Sequence, residues 1–169
     1  MEIYTVALEQ AEKLGDKRGM GLILSNIGVV YANKGEYDKT MDYYEKSLAI
    51  FEEIDDKSGI GKNLNNMAID YYLQGDLDKA LDYFERSLAI AEEIGDKRWM
   101  GFSLSNIGNV YKNKGEYDKA LDYCDRSLVI FEESRNKRGM EGSLVSIGNV
   151  HANKGDLDKA LDYFERSLA

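Results

Sequence analysis

Apolar residues recur at steps of three and four through most of the chain, which is the spacing of amphipathic helices. In the segment after Lys17 the pattern falls on Leu24, Ile27 and Tyr31, and a second segment continues it. The inner stripe of this second segment comprises Tyr37, Thr40, Met41, Tyr44, Ser47, Leu48 and Phe51. No stretch alternates between apolar and polar residues with a period of two, so we predict an all-α chain.

The ends of the first helix of each pair carry recognisable signals. A side-chain oxygen that can cap the helix precedes it, and a glycine suited to the left-handed turn follows it. The predicted capping residues are Asp16, Asp56, Asp96 and Asn136, and the predicted terminating glycines are Gly35, Gly75, Gly115 and Gly155. The chain has no proline, which fits a protein built of helices and tight turns.

The helix pair repeats every 40 residues without insertion. Full copies span 17–56 (first repeat), 57–96 (second) and 97–136 (third), while 1–16 match the second half of a copy and 137–169 form a truncated fourth. We therefore predict a single solenoid domain over 1–169. Because both ends fall inside a repeat, we expect a fragment of a longer natural protein or an engineered excerpt. The apolar residues expected to lack a neighbour at the two ends are Val6, Leu8, Leu14, Leu161, Phe164 and Leu168.

Small residues occupy equivalent slots in all four copies. A glycine inside a helix costs about 1 kcal/mol relative to alanine, so its recurrence indicates close packing of neighbouring helices. The slots in the middle of the first helix hold Gly28, Ala68, Gly108 and Gly148, and those near the start of the second hold Thr40, Ala80, Ala120 and Ala160.

This pattern resembles the tetratricopeptide repeat over nearly the whole chain. The residues that carry the resemblance are Leu24, Ile27, Gly28, Tyr31, Gly35, Thr40, Tyr44 and Ser47. The 40-residue period is similar to the long-helix subclass of kinesin light chain and bacterial Rap-type regulators, not to the commoner period of about 34 residues. The resemblance implies a right-handed α/α superhelix in which the first helices line a concave groove.

The implied groove carries an amide at a fixed 40-residue spacing, at Asn26, Asn66 and Asn106. A carboxamide both donates and accepts hydrogen bonds, so it can hold a peptide backbone regardless of sequence, and the long-helix relatives use Asn in this slot that way. The alternative is an Asn bonded to a neighbouring repeat or to water. The full candidate set for peptide binding is Asn26, Asn66, Asn106, Lys62, Trp99, Phe102, Asn109, Asn113 and Asn149.

Trp99 stands where the other copies have glycine, at Gly19, Gly59 and Gly139. Aromatic residues are common interface anchors, so Trp99 and Phe102 could form an apolar pocket wall beside Asn106. Alternatively, Trp99 packs on the end of the preceding second helix, around Ile94. The sequence leaves both possibilities open.

The net charge and the distribution of charged residues limit the classes of partner that the chain is expected to bind. The net charge of −9 disfavours nucleic-acid binding. The first helices (17–34, 57–74, 97–114 and 137–154) hold 12 basic and 2 acidic residues, and the rest holds 10 basic and 29 acidic. An acidic outer wall with a milder groove would suit a neutral or somewhat acidic segment, although the acids also serve as a solvated face. Lys62 is the only base at the slots that a carboxylate clamp requires, so binding of chaperone C-termini is disfavoured.

The sequence carries no catalytic or metal-binding pattern. A single His and a single Cys do not suffice for a disulfide or a multi-histidine zinc site. His151 replaces a Tyr of the other copies, and Cys124 replaces Tyr44, Phe84 and Phe164, so both are interpreted as substitutions in the core or at its rim. We therefore predict that the protein is not an enzyme and binds neither a metal ion nor a cofactor.

We therefore predict a scaffold that binds an extended peptide or protein segment in the groove. The alternative is a structural module that associates end to end through its open repeats, as a homo-oligomer. No apolar run is long enough to span a membrane and the N-terminal residues lack a signal-peptide pattern, so we expect no membrane partner and a cytoplasmic location. The sequence does not name the protein partner.

Overall fold

The computed structural model describes residues 2–168, with side chains from residue 3 onward. These residues form nine helices and no strand, which confirms the all-α prediction. The helices are α1 (Glu2–Leu14), α2 (Lys17–Asn33), α3 (Tyr37–Glu53), α4 (Lys57–Gln74), α5 (Leu77–Glu93), α6 (Lys97–Asn113), α7 (Tyr117–Glu133), α8 (Lys137–Lys154) and α9 (Leu157–Ser167). None of them is long and apolar enough to cross a membrane.

Each predicted capping residue closes the start of its helix. The side chains of Asp16, Asp56, Asp96 and Asn136 accept the backbone N–H three residues ahead, at 2.8, 3.0, 2.9 and 3.1 Å. Such a bond satisfies a donor that the helix cannot satisfy itself and contributes about 1 kcal/mol. The predicted N-caps are therefore confirmed.

The turn after the second helix shows a difference between copies that the sequence analysis missed. Gly95 ends the second repeat with φ +68°, but Asp55 and Arg135 hold the equivalent position with φ +52°. A side chain in the left-handed region costs about 1–2 kcal/mol relative to its normal backbone conformation. The turn that ends the second repeat is therefore free of the backbone strain that the turns of the first and third repeats have.

The helices stack as antiparallel pairs, and each second helix also packs on the first helix of the next repeat. The recurrent small residues permit this approach. A Cβ added at Gly28 would lie 2.5 Å from the Tyr44 ring, and one at Gly108 would lie 2.5 Å from the Cys124 sulfur. The prediction that these slots are small because of close packing is confirmed.

A buried serine links the two helices of each complete pair. Ser47, Ser87 and Ser127 donate to the carbonyl oxygens of residues 21, 61 and 101 at 2.7, 2.9 and 2.8 Å. Each bond crosses from the second helix to the first and satisfies a hydroxyl that is fully buried. A buried, satisfied polar pair of this kind fixes the register of the two helices.

The outer faces of the terminal helices are exposed. Leu88 and Leu128 are buried under the repeat that follows, but the equivalent Leu168 is 88% exposed and Leu161 is 58% exposed. At the other end, Val6 and Leu14 are exposed as well, whereas Leu8 and Phe164 are half-buried.

Candidate peptide-binding groove

The candidate site is the face formed by the first helices, which we call the groove face. α2 packs on α4 and α6 packs on α8, so the exposed sides of these helices adjoin. Apolar side chains of adjacent helices are exposed there, namely Leu22, Val29, Ile69, Leu73 and Val145. The face thus combines apolar side chains with the amides predicted from the repeat.

The amide column joins neighbouring first helices. The Asn66 side-chain N–H donates to the Ser25 hydroxyl at 3.4 Å. The Asn106 side-chain N–H donates to the side-chain oxygen of Asn65 at 3.2 Å. Each bond crosses from one repeat to the preceding one, as in the alternative that the sequence left open. An amide has two N–H donors and one acceptor, so each of these residues keeps further capacity for a partner. Asn26 is exposed.

The remaining predicted polar residues lie along the same helices. The Asn113 amide donates to the Tyr72 hydroxyl at 2.8 Å, and the Asn109 carbonyl oxygen accepts from Lys112 at 3.4 Å. Lys62 is exposed and Asn149 is half-buried. These residues do not converge on one point but follow the stack of first helices.

The structure places Trp99 against the preceding second helix. Its indole N–H donates to the Ser87 hydroxyl of α5 at 3.1 Å. The space exists because Ala91 stands where the first and third repeats have Phe51 and Phe131. This contact favours the alternative in which Trp99 packs on the preceding second helix, and the hydrogen-bond partner there is Ser87.

Phe102 engages a different helix. Its ring packs edge-on against Phe131 of α7 with centroids 5.1 Å apart, and the Arg98 guanidinium lies 5.8 Å above it. The two aromatic residues predicted to share one pocket wall thus pack against α5 and α7 respectively. We attribute both to packing of the helix array.

A carboxyl that the sequence analysis did not single out lies under the groove face. Asp70 of α4 is only 4% exposed, and its Oδ2 atom has no hydrogen-bond partner among the described residues. Burial raises the pKa of the Asp70 carboxyl, while a hydrogen bond from the Tyr44 hydroxyl opposes the shift. Burial likewise raises the pKa of Tyr44, and the charge of Asp70 adds to the effect.

Asp70 lines the floor of a cavity of about 200 Å³ between α2 and α4. The other lining residues are Val29, Ala32, Asn33, Tyr44, Asn66, Ile69 and Leu73. The signal that would have revealed this site is the exchange of one residue between copies. Asp70 stands where the other repeats have Val30, Val110 and Val150.

His151 and Cys124 are packing residues. His151 stacks on Tyr163 with centroids 5.5 Å apart, as Tyr31, Tyr71 and Tyr111 stack on their partners at 5.4 Å. Burial raises the pKa of the Cys124 thiol to about 12, so it is a poor nucleophile. No group of three or more metal-ligating side chains is found within the described part of the chain.

Comparison with solved structures gives a consistent fold. The chain is similar to BtubC from P. vanneervenii (22% identity, TM-score 0.84, 98% of this chain and 69% of that one). It is also similar to a Rap protein complexed with competence and sporulation factor (20% identity, TM-score 0.84, 98% and 46%). A third similar structure is a putative kinesin light chain of Podosopora anserina with nearly identical TPR-like repeats (13% identity, TM-score 0.76, 98% and 82%). The chain thus spans less than half the length of that Rap protein.

No curated protein sequence is significantly similar to the chain. A family model described as "Tetratricopeptide repeat" matches residues 19–93 and 99–169. These two matches cover most of the chain and agree with the helix pairs and their small-residue contacts. They support a protein-interaction repeat scaffold, and the chain belongs to the tetratricopeptide repeat family.

Proposed function

We propose that the chain binds an extended segment of a protein partner along the groove face. The observation that carries this proposal is the row of amides at one repeating slot, flanked by exposed apolar side chains of adjacent first helices. An amide column can pair with a peptide backbone at regular intervals, and the apolar side chains can receive alternate side chains of the segment. A related fold, the Rap protein described above, was solved in a complex with competence and sporulation factor.

The internal bonds of the amides use only part of their hydrogen-bonding capacity. Asn66 uses one N–H on Ser25 and Asn106 uses one on Asn65. The bonds hold each side chain in a fixed orientation, which reduces the entropy lost when a ligand binds. We propose Asn26, Asn66 and Asn106 as the backbone-binding core of the site. Lys62, Asn109, Asn113 and Asn149 extend it along the groove.

The test is selection of a random peptide phage library on the immobilised chain, followed by titration of the recovered peptides. Asn66→Ala/Asn106→Ala should weaken binding roughly tenfold or more, since two hydrogen bonds contribute about 1 kcal/mol each. Circular dichroism verifies that this variant stays helical. Failure to recover any peptide, or equal binding by the variant, would refute the proposal.

Two controls separate peptide contact from repeat packing. Ser25→Ala removes the partner of Asn66 but leaves the amide itself, so binding should change by less than about threefold. Glu45→Ala/Glu85→Ala alters exposed positions on α3 and α5, away from the first helices, and should leave binding unchanged. A loss with Ser25→Ala as large as with the double variant would assign the amides to packing alone.

A second candidate is end-to-end association of copies. It is favoured by the exposed Leu161 of α9 and the exposed Leu168 that follows this helix. Their equivalents in α7 are the half-buried Leu121 and the buried Leu128. Sedimentation velocity over a wide concentration range would show growing mass if copies associate. Leu161→Glu/Leu168→Glu should abolish that growth, and a constant monomeric mass in the unaltered chain would rule this candidate out.

A further inference from the structure

The cavity between α2 and α4 is lined by Asp70, whose slot holds valine in the other repeats. Val110 and Val150, which match Asp70 in the third and fourth repeats, are fully buried among apolar neighbours. A valine at this slot stabilises the stack by burying apolar surface. The second repeat places a carboxyl there instead, at a cost to stability that the other copies do not bear.

The carboxyl is incompletely satisfied. Its Oδ2 atom is buried and has no hydrogen-bond partner among the described residues, and a hydrogen bond from Tyr44 lowers the pKa of the carboxyl. No lysine, arginine or histidine in the part of the chain described by the structure forms a salt bridge with it. A buried carboxylate is strongly unfavourable until a cation or several donors reach it.

The cavity above the carboxyl has the shape and chemistry to admit such a donor from outside. Its walls are the apolar side chains of Val29, Ala32, Ile69 and Leu73, and its volume is about 200 Å³. Val29, Ile69 and Leu73 are partly exposed on the groove face, so the cavity is continuous with that face. Asn66, one of the proposed backbone-binding amides, lines the same cavity.

We propose that this cavity receives a lysine or arginine side chain of the bound segment, whose cationic group pairs with Asp70. The proposal rests on the proposed function, because the basic side chain belongs to the segment held by the amide column. The aliphatic stem of Lys or Arg packs well on apolar walls while its head reaches a polar partner. The cation supplies the Asp70 carboxyl with a further donor, in a charge-assisted hydrogen bond.

This pairing gives the groove a fixed register. The amides at Asn26, Asn66 and Asn106 repeat, so they bind a backbone equally well when it slides along the array. A single carboxyl beside Asn66 breaks that equivalence, since only one position of the segment faces it. One basic residue at one position therefore becomes a specificity requirement, and a buried polar group that selects a register is a known use of such residues.

The test compares peptides selected from the random phage library on the unaltered chain with their binding to Asp70→Val and Asp70→Asn. Asp70→Val introduces the residue that the other three repeats have at this position, so we expect the variant to fold. Asp70→Asn keeps the size and polarity but removes the charge. The expected result is a Lys or Arg at one fixed position of the selected peptides, and binding to both variants that is about tenfold weaker or worse.

A matched peptide sharpens the test. Replacing the selected Lys with norleucine should weaken binding to the unaltered chain by the same factor and have no further effect on Asp70→Val. Selected peptides without a basic preference, or with equal affinity for Asp70→Val, would overturn the inference while the groove function stands.

If no peptide is recovered, the groove function fails and the cavity is tested by itself. The probe is n-butylammonium, with n-butanol as the uncharged control, and the readout is the ¹³C chemical shift of the Asp70 carboxyl. A saturable shift with the ammonium alone supports a cation-binding cavity. No shift, or the same shift with both probes, overturns it.

Discussion

The second repeat and its neighbours form the same helix pair, but their junctions to the next repeat are built differently. In the first and third repeats a large ring, Phe51 or Phe131, lies over the glycine that opens the next repeat, Gly59 or Gly139. In the second repeat the ring is Trp99 of the following helix, and Ala91 leaves room for it. The ring that fills the junction thus comes either from the second helix of one repeat or from the first helix of the next. Which residue a position can hold depends on the residue that faces it across the junction.

The second repeat also carries the buried Asp70 that its neighbours replace by valine. It thus combines an unusual junction, an unpaired carboxyl and an unstrained turn at Gly95. The second repeat thus carries a destabilising carboxyl at the cavity where we place the basic side chain of the partner, and the first and third repeats carry valine there. Four sets of substitutions test this contrast.

The largest effect is expected at the junction. Phe51→Ala should lower the free energy of unfolding by about 3–4 kcal/mol, because it removes a buried ring. Gly59→Trp alone should cost about 1–3 kcal/mol, since its side chain would overlap Phe51. In the Phe51→Ala background the same tryptophan should instead recover stability, by re-creating the Ala91–Trp99 arrangement. Urea unfolding of the unaltered chain, the two single variants and the double variant measures this cycle. If the two single changes in the free energy of unfolding simply added in the double variant, the tryptophan would not replace the phenylalanine.

Asp70→Val should raise the free energy of unfolding by about 1–3 kcal/mol near neutral pH, since it removes a buried, incompletely bonded carboxyl. Asp70→Asn is the matched control without charge. Because burial raises the pKa of Asp70 in the folded state, protons bind the folded state more tightly than the unfolded one. The part of the penalty that depends on charge should be absent below the unfolded pKa of about 3.8. It should grow as the pH rises from there to the folded pKa and stay constant above it. A gain that does not depend on pH would show that the carboxyl is not the cause.

The serine of the second repeat makes one bond more than that of the first. Ser87 donates to the residue 61 carbonyl and accepts from Trp99, whereas among the described residues Ser47 bonds to the residue 21 carbonyl alone. Ser87→Ala should therefore cost about 1.5–2 kcal/mol and Ser47→Ala about 1 kcal/mol. Thermal unfolding compares the two. In a Trp99→Phe background the difference should disappear, and its persistence would show that the indole bond contributes nothing.

The smallest effect is expected at the turns. Arg135→Gly should raise the free energy of unfolding by about 0.5–1 kcal/mol, because relief of the left-handed strain is partly offset by glycine's greater freedom when unfolded. Gly95→Arg should lower it by a similar amount. Chemical denaturation of both variants measures the pair, and a loss of stability with Arg135→Gly would indicate that the arginine side chain makes a compensating contact.

The sequence was sufficient for the helices and their ends, because caps such as Asp16 act locally and apolar periodicity reports one buried face. It was also sufficient for the small slot at Gly28, whose recurrence reflects a constraint common to all copies. It was not sufficient for Trp99, since the space it fills depends on Ala91 in another helix. The bond from Asn66 to Ser25 was equally inaccessible, because it depends on the distance between two repeats. Asp70 was visible as an exception to valine, but the lack of a salt bridge to it from the described basic residues is a property of the folded array.

The position of Phe51 has a consequence for how the molecule opens. The ring belongs to α3, yet it lies against Gly21 of α2 and Gly59 of α4, so a first helix cannot separate from the next repeat without exposing it. In a nearest-neighbour description of repeat proteins, such a side chain contributes to the interface energy rather than to the energy of either repeat. Strong interfaces make the array open as one cooperative unit. Amide hydrogens in the middle of α2 and α4 should therefore exchange with a common free energy of opening.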